Sequence, residues 1–181
     1  PMPIIYLSPS TQEFNYYVNG GTEEYYMNLL ADKMVPYLDA SGIRYSRNTP
    51  DMTAASSIAA SNAGNYDLHF ALHSNAAAGD QAGKAKGSIV FYYPTSVPGK
   101  RAAELVADAL KTIYPDPNLV RTQSTTTLGE VAKVRAPGIL LALAVGIGRD
   151  SQRFVLRFFG QQLGDQLAAA LFLQCSLGHG G

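Results

Sequence analysis

The chain has 181 residues, 46% of them apolar, and its 14 basic residues balance 14 acidic ones. This length and composition fit one domain with a single substantial core. No basic stripe indicates nucleic-acid binding, and no polybasic segment indicates attraction to an anionic membrane. The single cysteine, Cys175, excludes an intrachain disulfide framework and lies in an apolar stretch, where we expect it to pack as a core residue.

The most apolar segment, residues 167–173, is far shorter than a membrane span. The opening residues PMPIIYLSPS contain neither the basic start nor the long apolar run of a signal peptide. We therefore expect no membrane span. If the protein acts outside the cytoplasm, we expect its export to depend on something outside this sequence.

Short apolar runs alternate with amphipathic segments along the chain. The predicted strands are residues 4–7, 43–46, 68–72, 88–93 and 139–145, with weaker candidates at 119–122 and 131–134. This alternation predicts a three-layer α/β domain with a mainly parallel sheet, and the absence of any visible boundary predicts a single domain over residues 1–181.

Four helices are predicted, three between strands and one after the last strand. The first begins after Thr22 as N-cap, with Pro36 expected to kink or end it. The second spans residues 54–63 and ends at Gly64, the third opens at Pro98 and stops before Pro115, and the last covers about residues 151–177.

The central strand, residues 68–72, delivers the polar cluster His73-Ser74-Asn75 at its carboxyl end. In an open α/β sheet this edge forms the ligand-binding crevice. His73 is therefore a candidate metal ligand or acid/base, and a hydrogen-bonded structural histidine is an alternative of about equal weight. His69 lies ~13 Å away along the strand at ~3.3 Å per residue, so it cannot share a metal with His73 and is expected to be structural.

Glu24 is a second candidate metal ligand. Glu24 starts the first helix, directly after the loop that follows the first strand, so it can face the same crevice as His73. A zinc hydrolase needs three protein ligands and usually a carboxylate as general base. The Gly146-Ile147-Gly148 segment is weak evidence for nucleotide binding, and a tight strand-to-helix turn is the expected alternative.

Two aromatic groups have different predicted positions. The Tyr16-Tyr17 pair is expected near the cleft, where it could line a glycan groove. Phe91 and Tyr93 are expected to pack in the core.

Several segments together resemble the zinc-dependent N-acetylmuramoyl-L-alanine amidases of the amidase-3 type, in a version typical of clostridia-like bacteria. They are IYLSPSTQEFN, GGTEEYYMNLLADKMVPYL, RNTPDM, SNAGNYDLHFALHSNAA, FYYPTS, KRAAEL, IYPDPNLVR and LGEVAKVRAP, in the family's order over residues 4–137. The resemblance implies an open six-stranded sheet flanked by helices. It also implies zinc-activated cleavage of the amide between N-acetylmuramic acid and L-alanine in peptidoglycan, at the cell wall or extracellularly, by a monomer.

The resemblance also implies site residues. The family's second and third zinc ligands fall on Glu24 and His73. Its first ligand is usually a histidine in a DPGHGG-like segment, but here SPSTQEFN offers only Gln12, a weak oxygen ligand, so partial zinc occupancy is expected. Ser74 and Asn75 are expected to shape the substrate cleft.

The clearest departure from the family is Ala142. The resemblance places there a glutamate that acts on the zinc-bound water, in a segment like LLELAYHDN, whereas this chain reads LLALAVGIGRD. Glu13 and Glu130 are the remaining carboxylates that could replace it, although a solvated surface position is expected for each. The sequence therefore leaves two hypotheses, an amidase or a catalytically impaired relative that binds cell-wall peptide or glycan without cleaving it.

Overall fold

Six strands form one sheet in the computed structural model, which describes residues 2–17, 20–74 and 87–144. They are β1 (Ile4–Pro9), β2 (Arg44–Arg47), β3 (Leu68–Ser74), β4 (Ser88–Tyr92), β5 (Val120–Ser124) and β6 (Gly138–Leu143), in the spatial order β2-β1-β3-β6-β4-β5. All neighbouring pairs are parallel except β4 with β6. The prediction of a mainly parallel six-stranded sheet flanked by helices is confirmed.

Four α-helices lie among the described residues: α1 (Glu23–Ala40), α2 (Ala54–Ala63), α3 (Val97–Lys111) and α4 (Gly129–Ala132). Thr22 caps α1 by accepting a hydrogen bond from the Tyr25 amide, as predicted, and Thr53 caps α2 in the same way. Pro36 does not end α1, which continues to Ala40. None of the helices in the described ranges is long and apolar enough to cross a membrane.

The two faces of the sheet are covered differently. Helices α1 and α3 pack on one face and enclose the main hydrophobic core, to which Phe70, Leu72 and Leu141 contribute. The other face contacts α4, which packs on α2, and has a small apolar cluster of Ala71, Val131, Leu140 and Ala142. The aromatic side chains predicted for the core, Phe91 and Tyr93, pack against this second cluster.

One predicted strand is wrong. Residues 131–134 do not form a strand, because the chain makes the short helix α4 there and buries Val131 against the second cluster. Tertiary packing thus outweighs the β-propensity of a single valine. The predictions for Asn75, the 146–148 turn and the helix at 151–177 fall outside the described residues.

The central strands β1, β3 and β6 run side by side in the same direction, so their carboxyl ends meet at one edge of the sheet. His73 pairs in register with Ala142, and Ser8 pairs with Ala71. Because residues paired in register project from the same face, all four side chains lie on the α2 and α4 side. This edge and face hold His73 and Ser8, two polar residues of the candidate site.

Candidate active site

His73 occupies the carboxyl end of β3, with 16% of its side chain exposed. Its Nδ1 atom lies 2.9 Å from Glu23 Oε1, and its Nε2 atom lies 2.7 Å from Glu130 Oε2. An ionised carboxylate only accepts hydrogen bonds, so each ring nitrogen donates a proton to its neighbour. In the metal-free protein His73 is therefore an imidazolium held between two carboxylates.

Glu23 reaches His73 from the first residue of α1. It is in helical phase with the buried residues Met27 and Leu30, which turns its side chain toward the sheet and leaves only 1% of it exposed. The Asn15 side-chain amide donates to its second oxygen, Oε2. A carboxylate at this position also interacts favourably with the positive end of the helix dipole.

Glu130 is the second carboxylate on His73, and its predicted solvated position is wrong. Its side chain is only 6% exposed because α4 turns it toward the sheet. Its Oε1 atom accepts hydrogen bonds from His69 Nε2, at 3.2 Å, and from the Ser8 hydroxyl. Sequence reasoning named Glu130 but missed its burial, because a four-residue helix gives no periodic signal.

Asn48 orders the polar groups beneath Glu130. Its side-chain amide is 3.0 Å from the Pro9 carbonyl oxygen, 3.1 Å from Ser57 Oγ and 3.3 Å from Ser8 Oγ. Since Asn48 donates to the Ser8 oxygen, the Ser8 hydroxyl is free to donate its own proton to Glu130.

The three charges in this cluster shift one another's pKa values. Burial lowers the pKa of His73, but its hydrogen bonds to Glu130 and Glu23 outweigh burial and raise it to about 9. Burial raises the pKa of Glu130, yet hydrogen bonds from His69 and His73 lower it to about 2. Burial raises the pKa of Glu23, but the hydrogen bond and positive charge of His73, together with hydrogen bonds from Ser10 and Ser74, lower it below its ordinary value.

The other two predicted metal ligands, Gln12 and Glu24, have different surroundings. Gln12 is exposed and places Nε2 3.4 Å from His73 Nδ1. Glu24 is half-buried, and its Oε2 atom has no hydrogen-bond partner among the described residues. Successive helix residues point about 100° apart, so Glu23 and Glu24 cannot face His73 in the same way. The role of Glu24 as a ligand stays a prediction.

The predicted substrate-binding and catalytic positions lie at the same strand ends. Ser74 is half-buried beside His73, and its side chain interacts with the Tyr17 phenol. Ala142 is the register neighbour of His73 on β6, is 9% exposed and packs in the small apolar cluster. Its side chain can neither accept a proton nor bind a metal.

An open cleft of about 790 Å³ lies next to these residues. It is lined by residues 11–15 and 50–54, and Gln12 is shared between its wall and the contact with His73. The cleft volume is within the usual range of ligand pockets.

The two tyrosines of the predicted Tyr16-Tyr17 pair differ in exposure. Tyr17 is half-buried, and burial raises the pKa of its phenol, to which the negative charge of nearby Glu23 adds. Tyr16 is 70% exposed.

The Glu23–His73 pair fits a zinc ion only in part. Two ligands of a tetrahedral zinc ion with bonds of ~2.0–2.1 Å lie ~3.4 Å apart, so the 2.9 Å gap between Nδ1 and Oε1 would need to widen slightly. Within the described ranges, no group of three His, Cys, Asp or Glu residues could hold a metal. A third ligand would have to be weaker, and the Gln12 amide, whose oxygen and nitrogen can exchange places, is suitably close. This donor set fits a loosely bound ion.

The charges around His73 predict a pH-dependent stability for the metal-free protein. The raised pKa of His73 means that its contribution is complete below about pH 6.5 and is lost as the pH rises through about 9. The lowered pKa of Glu130 means that its contribution is complete above about pH 4.5 and is lost as the pH falls through about 2. We expect His73→Gln to lower the free energy of unfolding by about 3 kcal/mol between about pH 4.5 and pH 6.5, where both contributions are complete, and by less outside this range.

Urea unfolding of both proteins with a chelator present, from pH 3 to pH 10, measures this difference. A cost that stays the same across the whole range would contradict the charged cluster.

Comparison with solved structures places this geometry in a known fold. AmiC2, an N-acetylmuramoyl-L-alanine amidase of Nostoc punctiforme, superposes with a TM-score of 0.77 at 15% identity, covering 96% of this chain and 97% of that chain. An N-acetylmuramoyl-L-alanine amidase from Clostridium difficile 630 gives 0.75 at 14% identity, covering 99% of both chains. The catalytic domain of the CD27L endolysin gives 0.70 at 16% identity, covering 94% of this chain and 97% of that one.

No protein-family model and no curated protein sequence matches the chain. The similarity is therefore one of structure. The chain has the fold of these N-acetylmuramoyl-L-alanine amidases.

Proposed function

We propose that this protein is a peptidoglycan hydrolase of the N-acetylmuramoyl-L-alanine amidase class. The observation that carries the proposal is the Glu23–His73 pair at the carboxyl ends of the central strands, in a fold shared with such amidases. The substrate amide joins N-acetylmuramic acid to L-alanine, and the action takes place at the cell wall or outside the cell. We propose that the protein works as a monomer.

Glu23 and His73 are the residues that would hold a zinc ion, with Gln12 as a weak third ligand. When bound, zinc polarises a carbonyl group and lowers the pKa of water toward neutrality. Glu23 supplies negative charge from the first turn of α1, and His73 supplies Nδ1. Because the third ligand is weak, we propose partial occupancy at ordinary zinc concentrations.

The substrate would lie in the 790 Å³ cleft beside Gln12. Ser74 ends β3 next to His73, and its hydroxyl, which interacts with the Tyr17 phenol, is proposed to contact a substrate amide or carbonyl. Asn75 follows Ser74 in the sequence and is proposed to line the same cleft.

The absence of a carboxylate at residue 142 supports the second candidate, a relative that binds cell-wall peptide or glycan without cleaving it. Ala142 lies beside His73 with only a methyl group. Glu130 is a poor replacement base because both of its oxygens already accept hydrogen bonds. Loss of a general base typically reduces the rate by roughly 10²–10⁴, so the chain as written should turn over slowly or not at all.

The metal site is tested by two adjacent variants with the same chemical change. Glu23→Gln should weaken zinc binding at least tenfold, because it removes the carboxylate charge next to His73 Nδ1. Glu24→Gln should leave zinc affinity within about threefold. Calorimetric zinc titration of the folded proteins measures both values, and the reverse order would make Glu24 the ligand, as the sequence resemblance implies.

Activity is tested by restoring the missing carboxylate. Ala142→Glu should raise the release of L-alanine amino termini from purified peptidoglycan by about 10²-fold with zinc supplied, because it places a proton acceptor beside His73. Ala142→Gln is the matched control of equal size without a base, and circular dichroism checks that each variant folds.

Strong, equal activity in the wild-type protein and both variants would show that another group is the base. Binding of peptidoglycan by a folded Ala142→Glu variant without any release of amino termini would favour the non-catalytic candidate.

A further inference from the structure

Glu130 makes its contacts with both histidines of β3 at once. Its Oε2 atom is 2.7 Å from His73 Nε2, and its Oε1 atom is 3.2 Å from His69 Nε2. The Ser8 hydroxyl donates to the same Oε1 atom. With 6% of the side chain exposed, these contacts are well shielded from competing water.

These contacts fix which ring atoms of the histidines carry protons. A carboxylate accepts and does not donate, so Nε2 must be protonated on both rings. His69 Nδ1 then accepts a hydrogen bond from the Ser61 hydroxyl at 2.9 Å. For His73, the engaged Nε2 atom leaves Nδ1 as the ring atom that faces Glu23 and Gln12.

His69 is held rigidly, so it can anchor Glu130 in turn. Its side chain is fully buried, and its ring stacks on Tyr6 with centroids 5.4 Å apart and an interplanar angle of 11°. His69 therefore cannot rotate without disturbing both the stacked ring and the Ser61 hydrogen bond. A fixed Glu130 leaves His73 one favourable ring orientation.

We propose that Glu130 is a positioning residue which, anchored by His69, holds His73 with Nδ1 toward the metal side of the cleft. This extends the proposed function, because Nδ1 is the atom that would bind the ion. Carboxylates that hold the second nitrogen of a metal-binding histidine commonly change metal affinity by 10–100-fold when mutated. Here the Glu130 carboxylate accepts hydrogen bonds from two histidines, so replacing it disturbs both rings.

The test uses Glu130→Gln, an uncharged side chain of the same shape. Its amide oxygen can accept from one histidine, but its NH₂ group then faces the Nε2–H of the other. We expect the zinc dissociation constant to rise by about 10–100-fold. Glu104→Gln, at an exposed position on α3, is the matched control and should leave the constant unchanged.

Ring nitrogen NMR separates positioning from general loss of stability. In the metal-free wild type we expect exchange-protected Nε2 protons on both His69 and His73, and in the zinc-loaded protein a protonated Nε2 and a metal-bound Nδ1 on His73. Glu130→Gln should remove or shift at least one protected proton while circular dichroism stays native. If that variant does not fold, the two wild-type spectra still decide the assignment.

Unchanged ring protons in folded Glu130→Gln, zinc affinity equal to that of the control, or zinc bound through His73 Nε2 would overturn the proposal. If the wild type binds no zinc, the proposed function fails while the metal-free spectrum still tests the positioning role.

Discussion

The candidate site depends on how His73 is held between two buried carboxylates. Two negative charges at 1% and 6% exposure would be very unfavourable alone, and the imidazolium between them makes their burial possible. Each carboxylate is also tied to another element, Glu23 to Asn15 and Glu130 to His69 and Ser8. The cluster thus joins α1, α4, β1 and β3 at the edge where the central strands end. A zinc ion between Nδ1 and Glu23 would replace the proton there without adding an unpaired charge.

Most of the fold could be predicted from local sequence signals. The apolar runs of β3 and β6 and the caps at Thr22 and Thr53 each have a physical cause that operates within a few residues. The α4 segment could not be predicted in this way, because burial of Val131 against the second cluster decides its conformation. Such a contact depends on residues far away in the sequence.

The site itself was only partly predictable. The position of His73 follows from its place at the end of a buried strand. The burial of Glu23 against the sheet could have been predicted from helical phase, since Glu23 shares the buried stripe of Met27, Leu30, Met34 and Leu38. The pairing of Glu130 with His69 spans 61 positions in the chain and gives no local signal. Only the folded arrangement reveals that a residue expected at the surface supports the central histidine.

Anomalous diffraction at the zinc edge from crystals of the zinc-soaked protein tests the central claim most directly. We predict an anomalous peak ~2.0–2.2 Å from both His73 Nδ1 and a Glu23 carboxylate oxygen, with His73 Nε2 still hydrogen-bonded to Glu130. A peak coordinated by His73 Nε2 would contradict this prediction. Zinc bound only elsewhere on the protein, with the Glu23–His73 contact unchanged, would also contradict it.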